Sequence, residues 1–168
     1  MPNSAAYSPG QWTTFFSVAA GASSGLAGLL FVAVSLNLAQ IVGSRHLVAR
    51  TIKALALLIA VLLLSLICLV PGQSIRNLGG ELALVAMLEW LFIVWTDHRS
   101  SHKNEYISAR NRILQFLLAQ WATLPFVVAG ISLTRVSGGG LDWFAVGVIG
   151  AIVAAVLDAW VLLIEIQR

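Results

Sequence analysis

The sequence predicts an all-α integral membrane helix bundle with about five transmembrane helices, the N-terminus outside and the C-terminus inside. Three observations predict it. Of the 168 residues, 59% are hydrophobic and only 10% charged. The apolar residues come in runs of roughly 20, the length that carries a helix across a hydrocarbon core. The Lys and Arg residues concentrate in alternate loops between those runs. Mean hydropathy is +0.90. A soluble chain of this size leaves much of its surface in water and could not hide that much apolar area. A bilayer supplies the second apolar medium.

The first run, Trp12 to Val42, is about half again too long for a perpendicular span. It is expected to tilt, to kink near its glycines or to project past the inner surface. The second, Thr51 to Val70, contains ALALLIAVLLLSLICLV and stops at Pro71-Gly72, which does not continue a helix without penalty. The third, Gly79 to Thr96, is short and contains Glu89; a re-entrant third segment would invert everything downstream. The fourth runs from Ile113 to Leu133 and the fifth from Leu141 to Ile166. No Pro-rich, Gly/Ser-rich or highly charged linker divides the chain, so residues 1–168 read as a single transmembrane domain. The opening MPNSAAYSPGQW lacks the basic n-region of a signal peptide, so the first span is expected to be retained. Cys68 is the sole cysteine, which excludes an intrachain disulfide.

Orientation follows from the cations. With the N-terminus outside, the inner segments hold Arg45, Arg50, Lys53, Arg99, Lys103, Arg110, Arg112 and Arg168, and the outer ones Arg76 and Arg135. Trp12 and Trp143 fall at the outer boundary, where indole rings favour the headgroup level. The basic residues lie between apolar spans and line no continuous face, so the formal charge of +3 speaks for membrane orientation and against nucleic-acid binding. The lipid bilayer is the first partner the sequence names.

Two small-residue faces are candidates for helix packing. In the first span Ser17, Gly21, Ser24, Gly28 and Ser35 share a side, and Gly21 with Gly25 forms a GxxxG. Small side chains let a second helix approach closely where lipid has removed the hydrophobic drive to associate. In the fifth span Gly147, Ala151, Ala154, Asp158, Val161 and Glu165 repeat with heptad-like spacing. A face bearing carboxylates does not point at lipid, so Asp158 should meet protein, water or a cation. Asn37, Lys53 and Gln115 fall at a similar depth, and Lys53 or the Arg110/Arg112 pair is the expected counter-charge. The alternative is an ion or proton pathway.

Glu89 lies near the midpoint of the third span with no Lys or Arg at its depth. As the neutral acid it could donate a hydrogen bond to a neighbouring helix; as a carboxylate it would need a wet path. Beyond it, His98, His102 and Glu105 fall on one side of a continued helix and could present two imidazoles and a carboxylate to a metal on the inner side, where His46 also lies. A solvated polar loop is the plainer reading of the same residues. The chain contains no HExxH, no GxSxG and no phosphate-binding glycine loop, so no catalytic residue and no cofactor is assigned.

The stretch FFSVAAGASSGLAGLLFVAVSLNLAQIV, followed by LLSLICLVPGQS and LGGEL, resembles a small family of bacterial multi-spanning membrane proteins, mostly uncharacterised, some of them labelled as modulators of a membrane-anchored AAA protease. The resemblance covers Trp12 to Leu82 and rests on FF, GLLFVAVSLN and VPGQ. It implies a bacterial inner-membrane protein and transfers no functional residue.

Three functions stay open on sequence grounds. The leading one is a non-enzymatic protein acting through helix–helix association, as a homo-oligomer or as an accessory partner of another membrane protein. The second is a homo-oligomeric ion or proton channel lined by Glu89 and Asp158. The third is a membrane enzyme with a metal at His98, His102 and Glu105.

Overall fold

A computed structural model describes residues 4–101 and 109–166 of the chain. Two 3-10 turns, Ser4–Tyr7 and Pro9–Trp12, lead into α1 (Thr13–Leu36). Then follow α2 (Leu38–Gly43), α3 (Arg45–Leu69), α4 (Ile75–Ser101), α5 (Ala109–Arg135) and α6 (Leu141–Ile166). The described residues contain no strand. Five helices are long and apolar enough to cross a membrane: Pro9–Leu36, Leu47–Leu69, Ile75–Thr96, Ile113–Arg135 and Leu141–Ile164. Their outward surfaces are apolar, with Leu29, Phe31, Leu36 and Trp160 each more than 60% exposed. Such a surface is stable only against lipid.

The overlong first run is two helices, and the break falls at Asn37 rather than at the glycines. Asn37 leaves the helical region with φ −116° and ψ 22°. Its Nδ2 donates to the Ala33 carbonyl at 2.9 Å, taking an acceptor that the helix ladder would otherwise use. The glycines ahead of the break sit in an uninterrupted helix. Lipid removes the competing hydrogen bonds of water, so glycine does not break a helix there as it would in solution.

Helix α3 packs against α4 and α6, α4 against α5, and α5 against α6, closing a ring of four. Helix α1 leans on this ring from outside, chiefly on α3, and meets α6 over a short stretch. The ring closes tightly because glycines stand at its crossings. A Cβ at Gly79 of α4 would lie 2.6 Å from the Thr134 backbone nitrogen of α5, and one at Gly130 of α5 would overlap the backbone of Ala83. A Cβ at Gly147 of α6 would lie 2.8 Å from the Phe126 ring of α5. Where α1 meets α6, Phe144 holds Phe16 and Phe126 edge-on at centroid distances of 5.3 and 5.4 Å. That aromatic cluster closes one end of the bundle. At the other end α3 begins, α4 ends, α5 begins and α6 ends, and most of the chain's cations fall there. This is the basic end of the bundle.

Candidate functional site

Contacts between the helices fix which residues share a level. Gly79 lies against Gly130 and Thr134, Gly130 against Ala83, and the Trp90 Nε1 donates to Gln120 Oε1 at 2.7 Å. Read along this antiparallel pair, Glu89 of α4 is level with Ala122 of α5. A Cβ at Gly150 of α6 would lie 3.3 Å from the Ala122 Cα, which brings α6 to the same level. From Gly150 to Asp158 is eight residues, about 12 Å toward the basic end at the helical rise. From Ala122 to Phe126 is four residues, about 6 Å the other way. Glu89 therefore lies between a charged layer and an aromatic one.

The charged layer is an ion pair. The Arg50 Nη2 on α3 donates to Asp158 Oδ1 on α6 at 3.0 Å, with 14% of each side chain exposed. The partner expected from the sequence was Lys53 or the Arg110/Arg112 pair; the structure brings Arg50 to the carboxylate. Helix α3 begins at Arg45, six residues before the expected start of the second span, so Arg50 is already helical and turned toward α6. The side chains of Arg110 and Arg112 lie outside the described residues. Lys53 is buried on α3, at 8% exposure. Gln115 is half-buried in the first part of α5. Asn37 spends its amide on its own helix, so it is a helix-breaking residue here.

Glu89 belongs to the buried stripe of α4. Leu78, Leu82, Ala86 and Ile93, all at 2% exposure or less, follow the spacing of a helix face turned inward, and Glu89 falls on that face between Ala86 and Ile93. Both of its carboxyl oxygens are buried without a hydrogen-bond partner among the described residues. The Gln120 Nε2 is in the same condition, its Oε1 being taken by Trp90. Sequence reasoning missed Gln120 and Trp90. An amide in the middle of the fourth apolar run was a signal of the same kind as Glu89 in the third.

The two small-residue faces have different fates. Gly147, Ala151 and Ala154 are buried inside the ring, where they admit neighbouring helices. Ser17, Gly21, Ser24, Gly25, Gly28 and Ser35 lie on the exposed side of α1. A Cβ at Gly21, Gly25 or Gly28 would meet nothing within 4 Å. The buried face of α1 is a different one, made by Phe16, Ala19, Ala20, Ser23 and Leu30, and α1 packs chiefly on α3. The exposed hydroxyls turn back on their own helix: Ser17 donates to Thr13 O at 2.8 Å, Ser24 to Gly21 O at 2.9 Å and Ser35 to Phe31 O at 2.8 Å.

Of the three residues considered for a metal, His98 is exposed on α4, while His102 and Glu105 lie outside the described residues. Among the described residues no three His, Cys, Asp or Glu side chains come together as a metal site. No protein family, curated protein or solved structure matches the chain.

Proposed function

We propose that this chain is a non-enzymatic, multi-pass membrane protein that works by helix–helix association, with the outer face of α1 as its docking surface. One observation carries the reading: three glycines in a GxxxG-type arrangement stand on the outside of the bundle with nothing against them. Glycine in a helix facing only lipid forgoes dispersion contacts. A second helix laid on this groove would regain them through close backbone packing. The serine hydroxyls between the glycines are already bonded to their own helix, so the face presents little polar surface to a partner.

The partner is a second copy of the chain or another membrane protein. In mild detergent Gly21→Leu and Gly25→Leu should disrupt the complexes that the native chain forms. Full assembly in both variants would count against the reading. The channel reading has less support, because Asp158 is committed to Arg50 of its own chain and Glu89 faces the interior of a single bundle.

Our reading places the chain in the bacterial inner membrane, as the resemblance over Trp12 to Leu82 implies, with the basic end inside. Native Cys68 is buried, so Cys68→Ala gives a background for accessibility scanning. A cysteine at Ser137 should react with an impermeant maleimide added outside, and one at His98 should not. The reverse pattern would overturn the orientation.

A further inference from the structure

The aromatic layer on one side of Glu89 and the charged layer on the other make its surroundings one-sided in charge. Toward the aromatic end the interior is built of Leu64, Leu82, Phe126 and Phe144, with the Ser65 hydroxyl among them. Toward the basic end the interior first passes the buried Ile93, Ala119 and Ala54 and then reaches Lys53, Thr51 and the Arg50–Asp158 pair. We propose that Glu89 is an internal proton-binding site, reached from the basic end of the bundle and shut off from the opposite end by the Phe16, Phe126 and Phe144 cluster.

Nearly all buried polar atoms in folded proteins are paired, so an unpaired group calls for an explanation, and a bound proton, water or ion is one. Two carboxyl oxygens and an amide nitrogen are orphaned at one level of the bundle, on facing helices. A metal cation would need several more oxygens; divalent ions take about six. The Gln120 carbonyl oxygen, which could have served, is bonded to Trp90. A proton needs only the carboxyl group itself, and it removes the charge that the apolar interior does not tolerate.

Among the described residues, the other titratable groups on the helices around Glu89 stand nearer one end of the bundle or the other. Helix α5 carries no ionisable side chain from Ile113 to Thr134. Helix α3 contributes Arg50 and Lys53 nearer the basic end and Cys68 near the other. Helix α6 contributes Asp158, bound to Arg50, and Asp142 at its start. On α4 itself Glu81 accepts from Gln73 at 2.8 Å, two turns away, and Asp97 and His98 follow two turns on.

Dicyclohexylcarbodiimide is apolar and reacts with protonated carboxyl groups: the acid adds across one C=N bond, and the acyl group then migrates to nitrogen, leaving a stable N-acylurea. The full chain in membrane vesicles should carry this adduct on Glu89 at neutral pH, and lose it in Glu89→Gln but not in Asp158→Asn. In vesicles of known sidedness, alkaline buffer on the basic-end side should suppress the adduct, and alkaline buffer on the other side alone should not. An unlabelled Glu89 in the native chain, or labelling equally sensitive to both sides, would overturn the proposal.

Discussion

Arg50 and Asp158, 108 residues apart in sequence, meet at 3.0 Å and tie the start of α3 to the end of α6. The pair is mostly buried, so each charge depends on the other. Removing one partner strands the other in a medium that solvates it poorly. Asp158→Asn or Arg50→Gln should cost about 3 kcal/mol. The double variant Arg50→Leu/Asp158→Leu should recover most of that loss, because it strands no charge. Thermal unfolding in detergent reads the difference; a double variant no more stable than the singles would refute the coupling.

Gly79 and Gly80 are adjacent on α4 and should respond oppositely to the same substitution. A Cβ at Gly79 would press on the Thr134 backbone at 2.6 Å, and backbone cannot swing aside. Gly79→Ala should therefore lose about 1–3 kcal/mol as α4 and α5 separate. A Cβ at Gly80 meets nothing within 4 Å, and alanine is the better helix former by about 0.5–1 kcal/mol. Gly80→Ala should be neutral or stabilising in the same unfolding assay.

Those glycines also show what the sequence could disclose. Run length and composition gave the five spans to within about four residues, except that the first was read past its end at Leu36, because hydrocarbon thickness admits few alternatives. Which small residues face a neighbour is a matter of helix rotation, and rotation depends on all the other helices. That the Gly21 and Gly25 face would stand outside the bundle could not be read from its spacing, and the pairing of Gly79 with α5 had no signature in the third run alone. The same limit hid Arg50 as the partner of Asp158 and Gln120 as the neighbour of Trp90. Long-range partners follow from register, which no local pattern encodes.

Trp90 supplies a direct measure of an interhelical hydrogen bond within the bundle. Its Nε1 donates to Gln120 Oε1 at 2.7 Å, between α4 and α5. Trp90→Phe keeps an aromatic ring and removes the donor, so Gln120 is left with both ends of its amide unpaired. The loss should be about 1 kcal/mol, in the range found for such bonds within membranes. Adding Gln120→Leu to Trp90→Phe should restore part of it, since nothing polar then remains at that position. A double-mutant cycle with no coupling would mean that the bond adds nothing to stability.

The turn between α5 and α6 stands on one hydroxyl. Ser132 Oγ donates to Ser137 O at 2.5 Å and accepts from the Gly140 nitrogen at 2.7 Å, bridging the segment in which Val136, Gly138, Gly139 and Gly140 all have positive φ. Tyr7 reinforces it from the N-terminal segment, its hydroxyl accepting from the Gly139 nitrogen at 2.9 Å. Ser132→Ala removes the bridge and leaves a donor and an acceptor unsatisfied, a loss of about 1–3 kcal/mol. Ser132→Thr keeps the hydroxyl and should retain most of the stability. Gly140→Ala is harsher, because φ of 47° disfavours any side chain and its Cβ would overlap the Ala6 carbonyl. That variant should also release the N-terminal segment, so protease sensitivity near Tyr7 should rise with the fall in melting temperature. A melting temperature that falls with no change in cleavage there would separate the turn from the N-terminal segment and reject their coupling.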